Sequence, residues 1–430
     1  MYQTHTAAPG QCPMRPPAPP PAGPLPIYGP DFDRDPHATY QQLREQGPIA
    51  PVEISPRVPG SPSSSAVYGY LVVNYWSALY ILRNTPDLFA KDSRLHWAAL
   101  RDGQVPADSP ALMMMQPRDN ALWKDGEEHQ RLRGAITSAL ARVDTYDLTA
   151  AITRIADELM DAFAADGQAD LVTQFAEPLP MMTVTELFAA PPEIGSRIVR
   201  HVTALFAAGP DAAQANMLLE AACLELVHVK RTRPGRDVVT YLIQAGLTDP
   251  ELVQTLLLLF GAAAPPAAKA IGRTTQRYLT DAHLAQHVHT GVRPVAAALE
   301  SVLWEDPPVA NYSPLFARSP MTIYGAPVQP GYPILISFAA ANSDPALGLA
   351  PAARAGNRGH IAFSAGVHGC PAQGMGRLIV ETAVERLLDR LSQLALTIPD
   401  GDVPNLPGTF LAGPASLPVS FRPAATALGR

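Results

Sequence analysis

One cysteine in this chain has neighbours that suit it for chemistry. The segment Phe363-Ser364-Ala365-Gly366-Val367-His368-Gly369-Cys370-Pro371-Ala372 is a glycine-punctuated loop that delivers Cys370 to the start of a helix. That helix is written downstream, where Met375, Ile379, Ala383, Leu387, Leu391 and Leu394 recur at three- and four-residue intervals. Arg377, Glu381 and Glu385 take its other faces. A sulfur at a helix N-terminus sees the positive end of the dipole and unpaired backbone N–H groups, both of which favour the thiolate. A thiolate so placed is a ligand for iron. Glycines such as Gly366 would let the loop approach a flat macrocycle closely, and Phe363 would pack on the sulfur side of the ring.

At these residues the sequence resembles the cytochrome P450 family, whose haem-binding loop reads Phe-x-x-Gly-x-His/Arg-x-Cys before a long helix. A second segment, Trp123-Lys124-Asp125-Gly126-Glu127-Glu128-His129-Gln130-Arg131-Leu132-Arg133, resembles the family's helix that holds the haem propionates. His129 and Arg133 stand four apart on one helical face and could grip the two carboxylates. His368 is expected to assist from the cysteine loop, and Arg318 is a further candidate that does not align cleanly with the family's usual arginine. The resemblance runs from about Pro30 to the C-terminus and includes Asn342-Ser343-Asp344-Pro345 and the Asp306-Pro307-Pro308 turn. It implies a mainly α, triangular helical domain with a minor antiparallel β region, carrying haem b with iron on an axial Cys370 thiolate. By pattern the sequence is nearest to soluble enzymes of actinomycete secondary metabolism. Electrons would then come from a ferredoxin and ferredoxin reductase, with Arg131, Arg142 and Lys124 as candidate contacts.

The sequence departs from the family's pattern in two places. Members usually carry Glu-x-x-Arg before the Asp-Pro-Pro turn, whereas aligned on that turn Ser301 and Trp304 stand at the two positions. Losing both partners together leaves no uncompensated buried charge, so haem binding should survive. The family's distal helix usually places an acid followed by Thr over the iron. The corresponding stretch here is Gly261-Ala262-Ala263-Ala264-Pro265-Pro266-Ala267-Ala268, in which no side chain can relay a proton. The two prolines should kink or open the helix, leaving backbone that can hold water.

The reading for function is a haem-thiolate oxidoreductase that hydroxylates a small aromatic molecule or couples two of them by C–C or C–N bond formation. Tryptophan-containing cyclic dipeptides are one candidate class, through diketopiperazine dimerisation. Pocket candidates are Ala264, Pro265, Ala268, Met114 and Met182, with Met113, Met115 and Met181 beside them. Two rivals stand against it: a haem-binding protein without turnover, and an enzyme driven by peroxide. Both are motivated by the missing proton relay.

The elements that must position these residues are mostly helices. Of 430 residues, 47% are hydrophobic and only 7% aromatic, enough to bury a large core. Apolar residues recur at helical spacing over Trp76–Arg83, Gly126–Ala141, Leu148–Ala164, Pro191–Ala207, Asp211–Arg231 and Val238–Ala245. Thr248-Asp249-Pro250-Glu251 combines a capping box with a first-turn proline, and opens a long central helix running to about Asp281. Strand patterns fall at Ile49–Glu53 and Ala66–Val73, joined by a loop through Ser61–Ser65, and again near Met321–Tyr324 and Pro333–Ser337. Residues 1–30 are crowded with proline and read as a flexible tail ahead of a single domain, residues 31–430.

A net charge of -7 gives no reason to expect nucleic acid. Cys12, Cys223 and Cys370 are too far apart to signal a disulfide framework or a zinc site, and fit a reducing cytosol. The N-terminus lacks the pattern of a signal peptide, and the longest apolar run, about Leu252–Ala264, is too short to span a bilayer. The chain is expected to be a cytoplasmic monomer without membrane attachment.

Overall fold

The computed structural model describes residues 23–57, 66–105, 109–206, 212–281, 294–354 and 356–423. Its frame is a set of helices: α1 (Pro36–Gln46), α2 (Tyr75–Arg83), α3 (Gly126–Leu140), α4 (Thr145–Asp161), α5 (Pro178–Leu187), α6 (Pro192–Phe206), α7 (Ala212–Thr232), α8 (Val238–Gln244), α9 (Asp249–Thr280), α10 (Pro294–Glu305) and α11 (Gln373–Arg390). Each helix expected from apolar spacing is present, with ends shifted by a few residues. Ala207, Asp211 and the Ser61–Ser65 loop lie outside the described residues.

The central helix is α9, which packs against α5, α7, α10 and α11. Its start is fixed as the sequence implies: the Glu251 carboxylate accepts from the Thr248 N–H and hydroxyl, both at 2.9 Å. By length and apolarity α9 could cross a membrane, but more than half of that stretch is buried within the protein. The helix does not open at Pro265-Pro266, for α9 stays helical through both prolines. Ala264, Ala267 and Ala268 are buried around them, so packing on both sides holds the helical path where the ladder loses two bonds. Without N–H groups at 265 and 266, the carbonyls of Gly261 and Ala262 have no i+4 backbone donor.

A mixed sheet flanks the helices. Its strands are β1 (Leu25–Pro26), β2 (Ile49–Ser55), β3 (Val67–Val72), β4 (Phe89–Ala90), β5 (Asn311–Ala317) and β6 (Ile334–Ser337), in spatial order β1-β2-β3-β6-β5-β4. Pairing is mainly antiparallel, as expected, with β1 and β2 parallel and β3 and β6 parallel. A separate hairpin joins Met321–Ile323 to Ala326–Val328. Where β5 passes β6 the register shifts between Tyr312 and Leu315, and Ser313 takes a left-handed φ of 60°.

Part of the segment expected as a tail, residues 1–30, is ordered. Leu25–Pro26 adds an edge strand to β2, Ile27 is fully buried, and a short helix starts at Pro30. A proline costs an edge strand little, because its missing N–H can face away from the ladder. Residues 1–22 lie outside the described residues.

Candidate functional site

The cysteine loop is shaped by its own backbone. Ser364 N–H donates to Ile361 O at 2.8 Å, Gly369 N–H to Gly366 O at 3.1 Å, and Cys370 N–H reaches back to Phe363 O at 2.8 Å. Ser364 and Gly366 both adopt left-handed φ, 62° and 68°. Gly366 is required twice over, since a Cβ there would also run into the backbone carbonyl of Leu82 at the end of α2. The loop delivers Cys370 just ahead of α11, with Ala372 N–H donating to its Sγ at 3.4 Å. In the free protein burial raises the Cys370 thiol above its usual pKa, and the Ala372 N–H and the Arg133 charge only partly oppose it. The N–H at the helix start favours the thiolate, as the sequence implies, against the cost of burial. Cys223 lies far from this chemistry in the core, where burial pushes its thiol up to about 12.

Behind the loop stands an ion-pair cluster. Glu300 on α10 is buried and accepts from Arg377 on α11. His360 Nε2 lies 3.3 Å from Glu300 Oε2, and Arg358 Nε 3.4 Å from Oε1. His360 Nδ1 accepts from Ala362 N–H at 3.2 Å, which assigns the proton to Nε2 and aims it at Glu300. Burial pushes the Glu300 carboxyl up, but the hydrogen bonds from His360 and Arg377 outweigh it and hold the group below its usual pKa. The Glu-x-x-Arg spacing is absent, yet a buried carboxylate–guanidinium pair is present, with Glu300 one residue earlier and its arginine on another helix. A buried pair thus stands where the sequence implies that both partners are lost, and the buried charge is compensated. Trp304, at the usual arginine position, is 1% exposed, donates from Nε1 to Asn357 O at 2.7 Å and meets the His360 ring edge-on at 5.7 Å. Phe363 sits under the Arg377 guanidinium, 5.3 Å from its ring centre.

On the other side of the loop, α3 brings His129 and Arg133 to it, as their spacing implies. The His129 and His368 rings lie 4.1 Å apart, centre to centre, and each has a buried Nε2 without a hydrogen-bond partner. Burial, with the nearby charge of Lys91 next in weight, pushes His368 down to about 2, and burial likewise lowers His129. Both rings are thus neutral, and each can turn a donor toward an anion. Arg133 donates to the Gly369 carbonyl, tying α3 to the cysteine loop. Asp125, at the start of α3, has one buried oxygen without a partner, 4.0 Å from His368 Nε2. Arg318 reaches this group through Asp125: it is partly exposed, donates to Pro86 O at 2.7 Å and stands 3.7 Å from the Asp125 carboxylate. Lys91, which carries no signal in the sequence, is fully buried, and its backbone N–H donates to Asp125 at 2.9 Å.

The methionines do not converge on one pocket. Met181 packs with α7 and α8, Met182 against the α4–α11 core, and Met114 and Met115 against the sheet. The side chain of Met113 lies outside the described residues. Ala264 and Ala268 are buried along α9, and Pro265 is partly buried. Among the expected partner contacts, Arg131 pairs with Glu251, Arg142 lies 3.6 Å over the Tyr241 ring, and Lys124 bridges Asp119 and Glu128. The cations at the outer face of the cysteine loop are instead Arg83 and Arg358, which line an open groove of about 590 Å³ with Tyr75, Phe363 and Arg377.

No family model matches the chain. Among curated proteins it is similar to a 2-hydroxy-5-methyl-1-naphthoate 7-hydroxylase of Streptomyces carzinostaticus, 29% identical over 416 residues, covering 92% of this chain and 97% of that one. It is also similar to the cytochrome P450 monooxygenase PikC of Streptomyces venezuelae, 28% identical over 94% of this chain and 95% of the relative. Among solved structures, CYP154C4 from Streptomyces sp. W2061 superposes with a TM-score of 0.80 at 28% identity, covering 92% of this chain and 97% of that one. Over almost its full length this chain is thus similar to cytochrome P450s and shares their fold, which carries a haem b on a cysteine thiolate.

Proposed function

We propose that this chain is a monooxygenase of bacterial secondary metabolism that hydroxylates a small, largely apolar molecule, with Cys370 as the iron ligand. The observation that carries the reading is the meeting of two features: a glycine-shaped loop presenting Cys370, and a wall beside it where His129 Nε2 and His368 Nε2 are buried without partners. Buried polar atoms are normally hydrogen-bonded. Two orphaned donors beside a cationic Arg133 and Lys91 fit a group bearing two carboxylates, which is what haem brings. His129 and His368 would hold those carboxylates, and Arg133 would add charge while bracing Gly369. When bound, a thiolate-ligated haem supplies oxygen activation, the thiolate's electron push favouring O–O cleavage.

The remaining chemistry falls to the chain. Residues 261–268 offer no acid or hydroxyl, so protons must come from outside α9, and the carbonyls of Gly261 and Ala262 can orient a water or a substrate donor there. An apolar helix face favours an apolar substrate, and the naphthoate hydroxylase among the relatives makes an aromatic one the first class to try. Coupling of two aromatic partners, cyclic dipeptides included, uses the same apolar face and is the second reading. An acidic ferredoxin fits the groove edged by Arg83 and Arg358, whose charges would draw it to the cysteine-loop side.

The deciding experiment is the carbon monoxide difference spectrum of the reduced protein beside Cys370→Ala. A thiolate-shifted Soret band that vanishes in the variant supports the ligand. Turnover of an aromatic panel with ferredoxin, reductase and oxygen, run beside peroxide alone, then separates a monooxygenase from a peroxide-driven enzyme. Silence in both arms would favour a haem protein without turnover.

A further inference from the structure

Lys91 follows β4 and is fully buried, yet its charge has no carboxylate in contact among the described residues. Its Nζ donates to Ser313 Oγ at 3.1 Å and to Pro314 O at 3.0 Å, both neutral groups presented by the bulge in β5. Asp125 makes no contact with the ammonium: one of its oxygens accepts from the Lys91 backbone N–H at 2.9 Å, and the other lies 4.0 Å from His368 Nε2. A buried ammonium without a counter-ion is costly and rare. Around it the unmet polar atoms are mostly donors. The His129 and His368 rings, 4.1 Å apart, each hold an Nε2 with no partner, Arg133 on the same helix as His129 adds another cation, and the one unmet acceptor is the second oxygen of Asp125, 4.0 Å from His368 Nε2. One carboxylate faces two cations and two ring donors, so the cluster is short of anionic charge.

We infer that Lys91 is a cationic contact to a haem propionate, in the role that the sequence had offered to Arg318. Arg318 is held at the surface by Pro86 O and Asp125. The bulge at Ser313 explains how a lysine from a different strand can serve: it turns a hydroxyl and a carbonyl inward to fix the ammonium on two of its three donors, leaving the third for a ligand. The inference rests on the haem reading above.

The test is haem binding by Lys91→Met and wild-type apoprotein, measured as the rate of haem loss to a scavenging apoglobin, with haem and with its dimethyl ester, whose propionates are uncharged. Loss of one charge-assisted hydrogen bond should speed release of haem by about tenfold or more. Release of the ester should be the same from both proteins, and the haem-free variant should melt higher than wild type. Lys91→Gln, whose amide can still donate to Ser313 Oγ or Pro314 O but carries no charge, repeats the comparison should the methionine variant not fold. Equal release of haem from variant and wild type, or faster release of haem and ester alike, would overturn the inference. Wild-type protein that takes up haem without a thiolate spectrum would instead overturn the reading beneath it.

Discussion

Removing Arg377 should cost this fold more than removing Arg377 and Glu300 together. In Arg377→Leu the Glu300 carboxylate stays buried with its side chain 5% exposed, keeping only His360 at 3.3 Å and the largely exposed Arg358 at 3.4 Å. Deleting one partner of a buried pair costs about 3–5 kcal/mol, and the two remaining contacts bring the expected loss to the lower end, about 3 kcal/mol. Glu300→Leu alone strands a guanidinium that is 10% exposed, with His360 Nε2, a donor itself, 3.0 Å away. In the double variant no charge is stranded, so a coupling energy of about 2 kcal/mol should separate it from the sum of the singles. Urea unfolding of the haem-free protein at pH 7 reads this as shifts of midpoint at constant slope. The reduced carbon monoxide spectrum reads it again, because Arg377 covers Phe363 at the cysteine loop. The pH dependence has a defined sign. Glu300 is held below its usual pKa, so its contribution is complete above about 4.3 and is lost as pH falls through the lower folded value. The deficit of Glu300→Gln should therefore shrink in acid. Singles within about 0.5 kcal/mol of wild type, or energies that simply add, would refute the view that this pair replaces the missing motif.

Gly366→Ala should abolish the thiolate-type spectrum while leaving the helix content of the haem-free protein intact, since a left-handed φ and the Leu82 carbonyl both oppose a Cβ there; a normal spectrum at full haem occupancy would contradict the loop geometry. Lys91, lowered to about 7 by burial, makes the unfolded chain the better proton binder from there up to its ordinary value of 10.5. Haem-free Lys91→Met should thus be more stable than wild type below pH 7, with the gain shrinking as pH rises through that window; a gain that does not vary with pH would mean the lysine is not buried as an ammonium.

What the sequence disclosed and what it hid divide along the range of the interactions. The cysteine loop was legible because its chemistry is local: glycines, cysteine and the helix that follows lie within one short stretch, and each left-handed turn falls near a residue that tolerates it. The start of α9 was legible for the same reason, its capping box spanning four residues. Its continuity through Pro265-Pro266 was not, because the burial of Ala264, Ala267 and Ala268 on neighbouring helices overrides what two prolines do to an isolated helix. The Glu300–Arg377 pair joins residues 77 apart in sequence, so a search for Glu and Arg three apart passes over it. Lys91 is the sharpest case. In the sequence it is a lone lysine in a short aperiodic segment, where a solvated surface charge is the ordinary expectation. Only the pairing of β4 with β5, and the bulge that turns Ser313 and Pro314 inward, carry its ammonium into the interior. Arg318 is the converse: it lies on the far side of that same bulge, so the register shift that brings Lys91 in goes with Arg318 facing Pro86 and Asp125 at the surface. A single irregularity in one strand thus fixes where the Lys91 ammonium is held, and nothing in the composition of Asn311–Ala317 distinguishes that strand from a regular one except a serine ahead of a proline.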